Sequence, residues 1–368
     1  MDNKKIRAIG AGILVVIWVA LIGFAWFGPT RELSEAERRP LTQMPEITVE
    51  NILDGKFMKD FEKFSLDQFP LRDTFRQIKS LFHYYALGQK DNNDIYIADG
   101  YAAKLEYPYN QTSADYAIGK FQHVYNKYLK DQGSQVFMSI VPDKGYYLGE
   151  PNGYLVMDYE AMFRRFQEGM PWASHIDITG ALGYEDYYRT DTHWRQEYLL
   201  DAAGVICEAM GVAGPKAEDY TPVALEKPFY GVYYGQAALP MESENIYLME
   251  SQLLKDCTVY DFESGKTGTV YDMEKLTSKD LYDVYLSGSR SLLTIENPHG
   301  TPGKELIVFR DSFGSSMVPL LVQDYAKVTL VDTRYIQIDV LDRFLEFNGQ
   351  DVLFLYSTLV LNNSSTIK

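Results

Sequence analysis

The spacing of apolar and polar positions marks out the elements of the chain before any chemistry is considered. Residues 8–29, AIGAGILVVIWVALIGFAWFGP, form one uncharged run. About 20 apolar residues in a row cross a bilayer as a helix. Next, NILDGKFMKDFEKFSLDQF places Ile52, Phe57, Phe61 and Phe64 at helical intervals, and a second helix follows FPLRD. DIYIADGYAAKL reads as a strand, a turn at Asp99-Gly100 and a second strand. ADYAIGKFQHVYNKYLKDQG is helical, stops at a glycine and leads into the buried strand VFMSIVP. Toward the C-terminus come strand ELIVF, a helix from about Gly314, strand KVTLVD, a helix in IQIDVLDRFLEF and strand DVLFLY. Strands that alternate with helices of about 10–15 residues predict right-handed crossovers, hence a mainly parallel sheet with both faces covered, an α/β fold. Between about 214 and 300 the pattern turns irregular and hairpin-like, as in CTVYDFESGKTGTVYDM, and is expected to be an insertion of unknown role. The expected organisation is a short stub and anchor over 1–29, a linker over 30–48, and one body over 49–368.

Charge refines the reading of the N-terminus. Lys4, Lys5 and Arg7 precede the apolar run, whereas RELSEAERR after it is mixed in sign. The positive-inside rule then leaves the N-terminus in the cytoplasm and the body outside it. A cleaved signal peptide is the rival. The run is longer than the usual apolar region of about 7–15 residues, and no A-x-A site follows it, so an uncleaved single-pass anchor is expected.

At 46% hydrophobic content the chain can bury one large core. Its net charge of −16, with no basic block beyond the first residues, argues against nucleic acid as a partner. Cys207 and Cys257 are too few for a disulfide framework. They are either one bridge or, as the apolar setting of Cys207 suggests, buried thiols. The 29 tyrosines include several in polar stretches such as EDYYRT, and are either half-buried surface rings or flat faces for sugar rings.

The candidate chemistry lies in two places. In ELIVFRDSFGSSMVPLL, residues 305–321, Ser312 sits where a buried strand becomes a helix. Ligands of parallel sheets bind beyond the carboxyl ends of strands, and a helix start presents N–H groups to a developing oxyanion. A serine there is also an ordinary helix cap. A nucleophile needs a base, and of the five histidines His193 alone has a suggestive context, YRTDTHWRQEYLLDAAG. Asp191 is two residues earlier. In extended backbone the two side chains share a face, so Asp191 can accept the Nδ1 proton and leave Nε2 free for a serine. The competing reading makes Asp191 or Thr192 the cap of a helix beginning at the tryptophan. One Asp and one His, with no second histidine in reach and no H-E-x-x-H, argue against a metal.

These residues also carry a resemblance. DTHW, then a later strand–DSF–helix, resembles the DHHW proteins of the AlgJ/AlgX-like branch of the SGNH hydrolase-like superfamily, which includes alginate O-acetyltransferases. SEAERRPLTQMPEI, FEKFSLDQFPLRD, DIYIADGYAAKL, VFMSIVPDKGYYL and VTLVDTRYI are similar to family segments in the same order, so the likeness covers most of residues 30–360. It implies a three-layer sandwich with Ser312 as nucleophile, His193 as base and Asp191 as its orienter. Arg334 in DTRY, Lys144 in VPDKGYY and Trp194 in DTHW are the implied substrate-side residues. Two positions depart from the family pattern: Arg310 precedes the Asp-Ser pair, and Thr192 replaces the first His of DHHW. With Arg310 there, only the Ser312 N–H is assigned to the oxyanion. The implied activity is transfer of acetyl to a cell-surface or exported polysaccharide through an acyl-enzyme, without a cofactor. A membrane-bound O-acyltransferase is the implied acetyl supplier. The alternatives are a carbohydrate esterase of the same fold, or an inactive polysaccharide-binding or assembly module.

Overall fold

A computed structural model describes residues 3–34 and 36–368; Met1, Asp2 and Glu35, which fall in the expected stub and linker, lie outside the described residues. The chain divides into two compact units. One holds residues 1–93 and 234–240, the other residues 94–233 and 241–368.

The first unit opens with helix α1 (Asn3–Phe27), long and apolar enough to cross a membrane. The single helix expected over 51–69 is two, α2 (Val49–Leu53) and α3 (Lys56–Asp67). The break is Gly55, whose φ of +75° ends the first helix in a conformation that glycine adopts without steric cost. Helix α4 (Arg72–Leu81) follows and continues as a wider turn through Ala86.

The second unit begins with hairpin β1 (Ile95–Ala98) and β2 (Tyr101–Lys104) around the expected Asp99-Gly100 turn. Helix α5 (Gln111–Val124), strand β3 (Val136–Val141), α6 (Lys144–Leu148), α7 (Tyr159–Gly169), β4 (Ser174–Ile176) and α8 (Leu200–Ala209) come next. The segment 214–300 supplies β5 (Thr258–Asp261), β6 (Lys266–Gly268) and β7 (Leu292–Glu296). The C-terminal part adds β8 (Thr301–Arg310), α9 (Gly314–Met317), β9 (Tyr325–Val331) and β10 (Asp351–Ser357).

Eight strands form one sheet in the order β6-β5-β7-β9-β8-β10-β3-β4. Pairings from β9 to β4 are parallel, and those of β5, β6 and β7 are antiparallel. The irregular-looking segment therefore extends the sheet on one side. Its short strands lack the long apolar runs that a doubly covered parallel strand shows, which is why the pattern hid them. Alternation along β8 builds two cores. Leu306 and Val308 face the one containing Ala203 and Ile206 of α8; Ile307 and Phe309 face the one containing Phe121 of α5 and Phe166 of α7. This is the α/β three-layer sandwich. Where IQIDVLDRFLEF was expected to be helical there is only a 3₁₀ turn at Ile338–Arg343, because Tyr128 donates to the Ile338 carbonyl that an α-helix would use (2.9 Å).

Candidate active site

Strand β8 is buried on both faces and ends at Arg310, so the chain must turn at Asp311 under the control of whatever satisfies its polar groups there. Asp311 is wholly buried and acts as the bracket. Its Oδ1 accepts the Phe313 N–H (3.0 Å), while Oδ2 accepts the N–H and hydroxyl of Ser357, 2.7 and 2.6 Å away at the end of β10. One carboxylate thus ties two parallel strand ends together and fixes the turn bearing Ser312. The Gly314 N–H bonds the Asp311 carbonyl. Ser312 does not cap α9, whose N-cap is Phe313 without a side-chain bond.

The second segment of the site, 187–194, doubles back on itself. Tyr187 and Trp194 form an antiparallel bridge, Tyr188 N–H bonds the His193 carbonyl (3.0 Å), and residues 189–193 between them are bent rather than extended as expected. Gln196–Tyr198 form a 3₁₀ turn, and α8 starts only at Leu200, so neither Asp191 nor Thr192 caps a helix. Instead, Asp191 Oδ1 lies 2.6 Å from His193 Nδ1 and also accepts the His193 N–H (3.1 Å). The other oxygen accepts the Val232 N–H (2.8 Å). On the far side of the imidazole, Nε2 stands 2.8 Å from Ser312 Oγ. With Nδ1–H donated to the carboxylate, Nε2 carries the lone pair that accepts the serine proton. The three side chains named from the sequence meet in one hydrogen-bonded line.

Packing keeps this line straight. The His193 ring stacks on Tyr282, with centroids 3.9 Å apart and planes 9° apart, and Phe313 tilts against it at 5.0 Å. Tyr282 Oη and Ser316 Oγ share a bond of 2.7 Å, which anchors the stacking ring to α9. Trp194 is wholly buried and donates to the Phe313 carbonyl (3.1 Å) and Ser316 Oγ (2.9 Å), underpinning the serine turn from below. Gly231 is required by close approach. A Cβ there would fall 2.2 Å from the Asp191 Cβ and 2.4 Å from the Thr190 carbonyl.

Lys144 and Arg334 are placed differently. Lys144 is buried, donates to the Tyr188 carbonyl (2.7 Å) and sits 5.2 Å from the Tyr233 ring centre. Burial pulls its ammonium down to about 7, while Asp191, Glu244 and Asp143 oppose the fall. Glu244 accepts from the Thr190 N–H (3.2 Å), and burial holds its carboxyl above the usual range. Arg334 forks onto Asp332 at 2.9 and 2.7 Å and is held charged by it; Arg310, also buried, lies 3.7 Å from the same carboxylate. No contact of Arg334 with Asp191, His193 or Ser312 is present among the described residues. Sequence reasoning passed over Asp311, Tyr282 and Gly231. Asp311 stood beside the serine and was legible; the other two lie in the irregular segment and carry no pattern.

Cys207 and Cys257 are free, buried thiols, pushed up to about 12 and about 11 by burial. Tyr187 and Tyr188 of EDYYRT are wholly buried and offer no face to a sugar.

Residues 182–331 match the family model described as DHHW protein. No curated protein matches the chain in sequence. Among solved structures, a DHHW family protein from Eubacterium siraeum DSM 15702 is 20% identical with TM-score 0.60, over 75% of this chain and 95% of that one. PatB1 of Bacillus cereus is 18% identical with TM-score 0.58, over 73% and 96%. The same protein solved with a sulfonyl adduct gives 18%, TM-score 0.55, and 73% and 95%. At such identities the likeness is one of fold, an α/β sandwich with a mainly parallel sheet. The stretch from 182 to 331, which bears Asp191, His193 and Ser312, is thus the part of the chain that is similar to DHHW proteins in sequence.

Proposed function

We propose that this protein is a membrane-anchored, extracytoplasmic O-acetyltransferase that moves acetyl groups onto an exported or cell-surface polysaccharide. The observation that carries the reading is the line Asp191–His193–Ser312, with gaps of 2.6 and 2.8 Å. His193 Nε2 takes the Ser312 proton as Oγ bonds to the acyl carbonyl carbon. The oxyanion forms beside the Ser312 N–H, the open donor of a turn whose Phe313 and Gly314 N–H groups are spent on Asp311. His193 returns the proton to the leaving group as the tetrahedral adduct collapses to acetyl-Ser312. A sugar hydroxyl then gives its proton to Nε2, attacks the ester carbonyl and leaves acetylated, and Ser312 recovers its hydrogen. Asp191 stays ionised throughout and holds the imidazole tautomer.

Helix α1 supports the anchor, with Lys4, Lys5 and Arg7 on the cytoplasmic side. Tethering keeps the catalytic unit at high effective concentration beside a membrane-bound O-acyltransferase, the expected acetyl supplier. Incubating the full chain with a chromogenic acetyl ester and an oligosaccharide acceptor, then weighing the acceptor, tests the activity. Acetylated acceptor that disappears with Ser312→Ala is the expected result. Acetate release that acceptor does not divert assigns a carbohydrate esterase. Neither product, with the fold intact, leaves a polysaccharide-binding module and overturns the proposal.

A further inference from the structure

Helix α4 is packed with its polar side inward. Arg72 bonds Glu37 at 2.6 Å, Arg76 reaches the same carboxylate at 3.2 Å and the Gln236 carbonyl at 3.1 Å, and buried Ser80 accepts from Asn92 (2.6 Å). The opposite face is apolar at positions 71, 75, 78, 82 and 85, a spacing of alternately four and three residues that draws one stripe down the helix and its wider last turn. All five side chains stand out in solvent, with Leu71 68%, Phe75 44%, Ile78 57%, Phe82 56% and Tyr85 71% exposed. A helix in water buries such a stripe and wets its polar side. Reversal means that the stripe faces an apolar medium outside the chain.

Where α4 begins decides which medium. The Phe69 ring is 6.3 Å from the ring of Trp18 in α1. Trp18 is nine residues before the end of α1 at Phe27, so Phe69 lies about 13 Å below that end. When α1 spans a hydrocarbon layer of about 30 Å, the corner preceding α4 is inside the outer leaflet. A cleft of about 710 Å³ between Ile17, Leu21 and Phe24 of α1 and Phe69 and Leu71 is lined mainly by apolar atoms, a place for an acyl chain. Charge agrees. Residues 1–93 hold 13 basic and 12 acidic side chains, a nearly neutral region, so it brings no large negative charge to a lipid surface.

We infer that α4 and its continuation lie in the outer leaflet of the bilayer, with Leu71, Phe75, Ile78, Phe82 and Tyr85 in contact with lipid chains. This rests on α1 being a span, as proposed above. The test uses the full chain in phosphatidylcholine vesicles, with an environment-sensitive fluorophore on Ile13→Cys, Gln77→Cys or Ile78→Cys, one at a time. The native cysteines are buried and stay unlabelled. A nitroxide lipid of shallow depth is expected to quench the label at position 78 roughly threefold more than at position 77 on the polar flank, and a lipid with its nitroxide near the chain end is expected to quench the label at position 13. Quenching at 13 but equal quenching at 77 and 78 overturns the lipid contact and leaves the span standing. A failure to quench at 13 removes the span and the inference together. Disulfide formation between two copies of Ile78→Cys, with no quenching there, assigns the stripe to self-association and also overturns it.

Discussion

From residue 94 onward, apolar side chains are inside and charge is outside; along α4 of the first unit, arginines are inside and phenylalanines are outside. The charge census differs too. Residues 94–368 hold 22 basic and 39 acidic side chains, whereas residues 1–93 are within one charge of neutral. The second unit is sorted for water. Its exceptions are informative: among its buried charged groups, Asp191 and Asp311 hold the imidazole and the turn that set the half-buried Ser312 hydroxyl in place. The contrast teaches that buried polar groups mark a site where the rest of a unit obeys the aqueous rule. Where a whole face breaks that rule, they mark a change of solvent.

The largest effect comes from one buried carboxylate of the second unit. Asp191→Asn keeps the shape but presents an amide to Nδ1, favouring the tautomer with hydrogen on Nε2. Steady-state kinetics should show kcat lowered roughly a thousandfold with KM little changed. A loss confined to KM would reduce Asp191 to a structural group. Gly231→Ala should follow. Its Cβ meets Asp191 at 2.2 Å, so the loop has to move, costing about 2 kcal/mol in chemical denaturation and lowering kcat as well.

Lys144→Met sharpens the comparison through pH. In the wild type the folded Lys144 loses its proton near 7, while the unfolded lysine keeps it to about 10. The unfolded state binds more protons in that window, so stability rises with pH between about 7 and about 10, by up to about 1.4 kcal/mol per pH unit from this group. The variant should lack that rise, and denaturant titrations at pH 7 and pH 9 measure the difference. The smallest effect belongs to the first unit. Ile78→Ser replaces an exposed residue and should change unfolding in detergent-free buffer by under about 0.5 kcal/mol. A loss of several kcal/mol there would mean that the stripe is a core face, and the contrast between the units would fail.

Much of this was legible in the chain. ELIVF and DVLFLY are continuous apolar runs because their strands are covered on both sides, and the Asp191–His193 pair was legible from its spacing, although the backbone joining them bends back instead of running extended. Other features were not. The helix expected at Trp194 starts at Leu200, since Gln196 is engaged by the Ser316 carbonyl and the Met249 N–H at 2.9 and 3.1 Å. Tyr282 reaches His193 across 89 positions of sequence, from a segment with no period to read. For α4 the period revealed a stripe, yet periodicity carries no information about which solvent the stripe meets.

Covalent labelling of the full chain with a sulfonyl fluoride, read by peptide mass, tests the central claim most directly. The account predicts a single adduct on Ser312, absent in Ser312→Ala and strongly slowed in His193→Ala. An unlabelled Ser312 in folded wild-type protein, or labelling equally fast without the imidazole, would contradict it.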